Sequence, residues 1–275
     1  MERLQNKVVL VTGAARGIGR ACAVRAAEEG ADMVLLDAPG TLPTVGYELG
    51  TGDQLDDTAE LCRKHGVAAL TLFADVRSSA AVRAAVDQAA DRFGRIDVLI
   101  NNAGIGASAG KAAHEMTEEE WQILLDVNLS GSWRMLQAVV PLMLALQGGS
   151  IVNVASTAGL VGYRHFAGYV ASKHGLIGLT KSAALDYGPF SVRVNALCPG
   201  PVRDDPRMDG GLGGVVANSL GISLDEQDAV DLESVALKTL VNPADIADAA
   251  VWLAGDESRK VTGTVIAVDA GFTAK

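Results

Sequence analysis

Cysteine is scarce. Cys22, Cys62 and Cys198 are the only three in 275 residues, odd in number and far apart. That excludes a disulfide framework, and the lack of a CxxC pair leaves no zinc motif. Aromatic residues make up only 4% of a chain that is 49% hydrophobic, so the core must be aliphatic and rich in alanine. Basic charge is short too: 23 Lys and Arg face 33 Asp and Glu, a net charge of −10. A chain with that deficit and no basic tract is a poor electrostatic partner for phosphate backbones or anionic lipid. No nucleic-acid or membrane partner is therefore expected. No uninterrupted apolar run approaches the roughly 18 residues of a membrane span. An apolar strand is under way by Val8, leaving no room for a signal peptide ahead of it, and a cytoplasmic location is expected.

What the chain does have is a rhythm. Short apolar runs at 7–11, 33–37, 68–73, 96–100, 150–154, 192–196 and 264–268 alternate with helix-length patterns at 17–29, 80–93, 118–146 and 245–254. The runs are apolar at nearly every position, as strands are when helices cover both faces of their sheet. Such alternation predicts right-handed crossovers and a parallel sheet, hence a single α/β domain over residues 1–275, doubly wound. Asn242 and Pro243 mark the start of the last helix, as a cap and a first-turn proline.

Two segments interrupt the rhythm. Residues 38–55 are rich in Gly, Pro and Thr and read as an insert after the second strand. Residues 203–235, with five glycines and many acids, read as a solvated, mobile lid over the substrate. Both leave the C-terminal ends of strands, the edge where open α/β sheets bind ligands.

The first strand runs into Thr12-Gly13-Ala14-Ala15-Arg16-Gly17-Ile18-Gly19, which opens a helix. Glycines there permit a tight turn and close approach of a pyrophosphate, and the helix N-terminus supplies N–H donors. Dinucleotide binding is expected. Asp37 ends the second strand, 18 residues beyond Gly19. A carboxylate there can accept hydrogen bonds from the adenosine ribose, favouring NAD over NADP. Arg16 argues the other way, since a guanidinium could meet a 2′-phosphate. Repulsion between Asp37 and that phosphate decides for NAD.

Together with Asn101-Asn102-Ala103-Gly104, Ser156, Tyr169-Val-Ala-Ser-Lys173 and Pro199-Gly200, the glycine loop resembles the short-chain dehydrogenase/reductase family, from about residue 5 to 273. The resemblance implies a Rossmann-type sheet of seven parallel strands and hydride transfer between NAD and a small alcohol or ketone. It implies a homotetramer built through the long helices and the C-terminal strand. It implies a catalytic tetrad of Asn128, Ser156, Tyr169 and Lys173, with Asn128 holding a water that links Lys173 to solvent. It places Asp75 and Val76 around the adenine, Asn102, Ala103 and Gly104 beside the adenosine ribose, and Pro199, Gly200 and Val202 against the nicotinamide. Asp204 departs from the pattern: the family often has Thr there, whose hydroxyl helps hold the carboxamide, and an ionised Asp cannot donate.

The chemistry is intelligible from the residues themselves. Tyr169 and Lys173 are four apart, on one helix face. A tyrosine at its ordinary pKa near 10 is a poor base at neutral pH, and a neighbouring ammonium is expected to lower it. Tyr169 can then take the proton of an alcohol or return it to a carbonyl, with Ser156 steadying the substrate oxygen. His165 reads as a surface residue, His174 as pointing to another helix face and Cys198 as core. The acids between Asp204 and Glu233 have no metal-ligand spacing, so no metal is expected.

The long segment after Asp37, Tyr47 within it and the ending Val268-Asp269-Ala270-Gly271-Phe272 resemble the carveol-dehydrogenase-like, mycofactocin-associated subgroup. That resemblance implies oxidation of cyclic secondary alcohols by a tightly held NAD. Two other readings compete: an NADPH-dependent carbonyl reductase of the 3-oxoacyl type, using Arg16, and a nucleotide-sensing regulator without catalysis.

Overall fold

The computed structural model describes residues 2–42, 44–45, 47–106, 110–203 and 212–274. Seven strands form one sheet: β1 (Val8–Thr12), β2 (Asp32–Asp37), β3 (Ala69–Phe73), β4 (Val98–Asn101), β5 (Gly149–Val154), β6 (Val192–Pro199) and β7 (Val265–Val268). Their order is β3-β2-β1-β4-β5-β6-β7, and every pairing is parallel. The chain winds outward from β1 in one direction and from β4 in the other. Connections leave these two neighbours on opposite sides, opening a crevice above their C-terminal ends.

Alternate residues of each strand serve opposite layers. Leu10, Val34, Leu36, Leu99 and Ile151 belong to one apolar layer, with α3 (Ser79–Phe93), α5 (Ser132–Leu146) and α6 (Ala167–Tyr187). Val9, Val11, Met33, Leu35 and Ile100 belong to the other, with α1 (Gly17–Glu28), α2 (Gly52–Arg63) and α9 (Pro243–Ala254). This is why the strands read as unbroken apolar runs. In the second layer Ala23, Ala26 and Ala27 of α1 join Ala247 and Ala250 of α9. Such small side chains allow close packing of a core with few aromatics.

Three expectations need revision. The helical pattern at 118–146 is not one regular helix: α4 (Glu118–Leu125) and α5 flank a π-helical turn over Asp126–Gly131. Glu118–Leu146 is long and apolar enough by composition to cross a membrane, yet Leu124, Met135, Leu136, Val139 and Met143 on it are buried in the core. The insert is shorter than 38–55, because α2 begins at Gly52. Thr51 accepts from the Gln54 N–H at 3.2 Å while Gln54 accepts from the Thr51 N–H at 3.0 Å, a capping box written in the sequence as Thr-Gly-Asp-Gln. The lid region contains two helices, α7 (Leu212–Leu220) and α8 (Leu224–Ser234). At the start of α9 the cap is carried by Asp245, whose carboxylate accepts from the Asn242 N–H at 2.8 Å.

Candidate active site

The glycine loop is shaped by contacts that leave no space for side chains. Gly13 has φ +66°, and a Cβ there would sit 2.9 Å from Ala103 Cα. A Cβ on Gly19 would collide with the Gly13 carbonyl oxygen. Asn102 braces the loop, donating from Nδ2 to the Thr12 and Gly13 carbonyls at 3.0 and 3.1 Å. Thr12 Oγ1 accepts in return from the Asn102 and Ala103 N–H groups, both at 3.0 Å. The family resemblance places Asn102 beside a ribose; within the protein its side chain also joins the end of β1 to the end of β4 at the crevice.

Asp37 stands at the end of β2. Its two carboxylate oxygens accept from the Ala15 and Ala38 N–H groups, each at 2.8 Å. Burial raises its pKa, against those two hydrogen bonds and the nearby Arg16 charge. Arg16 Nη2 donates to the Glu48 carbonyl at 2.7 Å, tying the glycine loop to the insert. The other side of the insert is held by Tyr47, whose Oη accepts from the Gly106 N–H at 3.1 Å. The described residues of 38–51 thus form a strap attached to the glycine loop after β1 and to the loop after β4.

At the end of β3, burial alone would raise the Asp75 pKa, but Arg77 grips the carboxylate through bonds of 2.6–3.1 Å and holds it below the usual range. Val76 is buried against the π-turn, where a Cβ on Gly131 would lie 2.7 Å from Val76 Cγ2.

The π-turn carries Asn128, which is fully buried. Oδ1 accepts from the Ile105 N–H at 2.8 Å, and Nδ2 donates to the Ile105 carbonyl at 3.0 Å and to Ser172 Oγ at 3.1 Å. The amide is thus engaged by protein on both sides. Its hydrogen bonds fix the β4 loop against α6.

Tyr169 and Lys173 lie one turn apart on α6, with Lys173 Nζ 5.6 Å from the Tyr169 ring centre. Lys173 is buried, and Nζ donates to the Val154 carbonyl at 3.0 Å. Burial pushes its pKa down to about 8. Burial pushes Tyr169 up to about 12, while a hydrogen bond with Ser156 opposes the rise. The expected lowering of the Tyr169 pKa by Lys173 is therefore not found in the protein alone. Both groups sit in a desolvated pocket that disfavours charge on either, and burial is the largest cause of both shifts.

Ser156 caps a short 3₁₀ turn, its Oγ accepting from the Ala158 N–H at 3.1 Å. Its own N–H donates to the Cys198 thiol, a buried core group raised by burial to about 11. Gly200 and Val202 are fixed beyond β6 by the Gly200 N–H to Val268 carbonyl bond at 3.0 Å and by a bridge from Val202 to Val241. His165 is exposed at φ +66°, and His174 is exposed with Nδ1 3.0 Å from the Val170 carbonyl. Asp204 lies outside the described residues.

One cleft of about 540 Å³ joins these parts. Gly13, Arg16, Gly17, Ile18 and Asp37 line one end, Asp75, Val76, Asn102, Ala103 and Gly104 the middle. Val154, Tyr169, Lys173, Pro199, Gly200 and Val202 line the reacting end. Asn128 stands behind that surface, its Oδ1 3.3 Å and Lys173 Nζ 3.5 Å from where a Cβ on Gly104 would lie. These residues fit a dinucleotide: a loop that only glycines can form, a helix N-terminus and a carboxylate at the second strand. Beyond Tyr169 the cleft continues between Tyr163, Phe166 and α8, inside the segments 157–168 and 203–235 where the sequence places the substrate pocket, although motif reading does not single out these side chains. The available signal was aromatic clustering, since Tyr163, Phe166 and Tyr169 fall within seven residues of a chain poor in aromatics.

A family model described as enoyl-(acyl carrier protein) reductase matches residues 13–273. The chain is 39% identical to (−)-trans-carveol dehydrogenase of Rhodococcus erythropolis, over 100% of both chains. It is 35% identical to a 3-oxoacyl-(acyl-carrier-protein) reductase of Staphylococcus epidermidis, over 97% of this chain and 99% of the relative. The crystal structure of carveol dehydrogenase from Mycobacterium avium in complex with NAD superposes with a TM-score of 0.93 at 36% identity, covering 100% of each chain.

Proposed function

The chain belongs to the short-chain dehydrogenase/reductase family, and from that premise we propose that it is an NAD-dependent oxidoreductase of cyclic secondary alcohols and their ketones, terpenoid alcohols such as carveol among them. The observation that carries this reading is the single cleft that joins the glycine loop and Asp37 to Tyr169 and Lys173. Full-length likeness to a carveol dehydrogenase supports the substrate class. The 3-oxoacyl reductase reading with NADPH is disfavoured by the Arg16 guanidinium, which is committed to the Glu48 carbonyl beside Asp37.

In the proposed chemistry, the glycine loop, Asp37 and the Pro199–Val202 turn would hold NAD, which when bound would supply the hydride acceptor for the carbinol carbon and a positive charge that favours a phenolate nearby. Tyr169 takes the hydroxyl proton, and Ser156 holds the substrate oxygen beside it. Lys173 supplies a cation on the same helix face. Its lowered pKa, about 8, suits it to pass a proton onward at neutral pH. Asn128 acts as a positioning residue, since its amide clasps Ile105 and Ser172. Both Nδ2 protons are taken by Ile105 and Ser172, so a relay water at the Asn128 amide would have to donate to Oδ1.

The strap at 38–51 supports a tightly held cofactor, being tied down through both Arg16 and Tyr47. A homotetramer is supported by the exposed apolar side chains of Trp121, Trp133 and Leu185 on α4, α5 and α6, and by β7 lying at an edge of the sheet. Residues 1–275 are read as one domain, and the acidic surface is consistent with a soluble, cytoplasmic protein.

The first test is to denature extensively dialysed protein and quantify released nucleotide, then assay carveol oxidation with NAD, NADP and an artificial electron acceptor. NADH formation or acceptor reduction is expected. Tyr169→Phe should lower kcat by about 10²–10⁴-fold, the range for losing a general acid–base group, with NAD still bound. Unimpaired turnover in Tyr169→Phe would remove this mechanism, and inactivity of the wild type towards every secondary alcohol would favour the regulator.

A further inference from the structure

The far wall of the cleft holds a carboxylate for which neither the dinucleotide end nor the reacting end has a use. Asp231 on α8 lines the cleft with Gln227, one helical turn before it, and faces the segment that carries Tyr163 and Phe166. Tyr163 is fixed on three sides. Its ring stacks on Phe272 at 5.7 Å with 17° between planes, and it meets Phe166 edge-on at 6.4 Å. Its hydroxyl shares a 2.8 Å hydrogen bond with Thr157. A ring held this way is a rigid surface rather than an adaptable one.

Asp231 is close enough to this ring for its charge to oppose ionisation of the Tyr163 phenol. The carboxyl is half-buried, and among the described residues no Lys or Arg forms an ion pair with it; Arg203 lines the same cleft without doing so. Burial raises the Asp231 pKa, and the Gln227 amide beside it only partly opposes that. The Gln227 side chain donates one hydrogen bond to this carboxyl, and the acceptor capacity left over faces the wall of Tyr163 and Phe166, where it is costly until a further donor meets it. A substrate that is hydrocarbon throughout, apart from its reacting carbinol, would leave that cost in place. A ring with a donor at its far end would relieve it.

We propose that Asp231, backed by Gln227 and set against the fixed Tyr163 ring, selects cyclic secondary alcohols that carry a second hydroxyl at the far side of the ring. The inference rests on the function proposed above and narrows its substrate class to ring diols and hydroxylated ring ketones. It makes Asp231 a specificity determinant, remote from the reacting atoms.

The test compares kcat/KM for trans-1,4-cyclohexanediol and trans-4-methylcyclohexanol, which match in size and differ in the far group. NAD and an artificial electron acceptor are both present. Wild type should favour the diol by roughly 10-fold, the scale of one hydrogen bond to a charged acceptor. Asp231→Leu should abolish or reverse the preference while leaving NAD content unchanged. Asp231→Asn, which keeps an acceptor oxygen, should retain part of it and guards against misfolding of the leucine variant. Turnover of both alcohols with no preference, or a preference that survives in Asp231→Leu, overturns the role of Asp231 alone. Failure to oxidise either of these alcohols or carveol overturns the function and this inference together.

Discussion

Lys173 is a buried ammonium with no acidic partner among the described residues, held by one carbonyl. Burial pushes its pKa from 10.5 down to about 8. Below pH 8 the folded protein must carry a charge that the unfolded chain solvates freely. Between about 8 and 10.5 the unfolded chain binds the proton and the folded one does not, so stability rises with pH across that window. Lys173→Met should therefore raise the stability of cofactor-free protein near pH 7 by about 1–2 kcal/mol, after allowing for the stranded Val154 carbonyl. Thermal melts should show that gain shrinking as pH rises from 8 towards 10.5. Turnover should be lost at every pH. A variant no more stable than wild type at pH 7 would mean that Lys173 is solvated in the pocket. At this scale, the Tyr169–Lys173 pair is readable from its spacing. The direction of its pKa shifts is not, because desolvation depends on the walls that other elements build around it.

Elements show where the chain departs from regularity to place a group. The sequence 118–146 has the periodicity of one helix, yet a π-turn at Asp126–Gly131 sets Asn128 against the β4 loop and Ser172. Single extra residues within helices often mark functional positions, but no pattern in residue type announces one here. The strap behaves differently: its Gly, Pro and Thr content and its place after Asp37 are legible, while its two attachments are not. Tyr47→Phe removes one attachment, the bond from the Gly106 N–H. Exchange of bound NAD with labelled NAD should quicken by about 5-fold, the scale of one neutral hydrogen bond. An unchanged rate would mean that the strap does not control release.

The end of α1 gives a second prediction at this scale. Glu29 is buried between Arg3 at 2.8 Å and Arg25 at 2.8 Å. Burial alone would raise its pKa, but hydrogen bonds from both arginines hold it at about 2. Its folded pKa is depressed, so its contribution is complete above the unfolded value of about 4.5 and is lost as pH falls towards 2. Glu29→Gln should cost on the order of 2–3 kcal/mol at pH 7. The gap to wild type should close during acid titration followed by circular dichroism.

For the whole molecule, exposed apolar groups are the main unfinished business. Trp133 is 46% exposed on α5 and Leu185 is 80% exposed on α6, a poor use of large apolar side chains on an isolated chain. On the proposed homotetramer, Trp133→Glu with Leu185→Glu should shift the mass by light scattering from that of four chains to smaller species. A wild-type monomer would refute the assembly.

Residue order by itself determined the doubly wound α/β fold, the dinucleotide end of the cleft and the position of the Tyr–Lys pair. Each of these depends on local rules: apolar runs at strand length, glycines at a strand–helix turn, a four-residue spacing on one helix. Tertiary structure alone decided the rest. It engaged the amide of Asn128, turned Arg16 towards the strap, drove Lys173 and Tyr169 away from their ordinary pKa values, and brought Phe272, Tyr163 and Asp231 from three distant segments to one wall. Those outcomes depend on burial and on contacts between residues far apart in the chain, for which sequence spacing carries no signal.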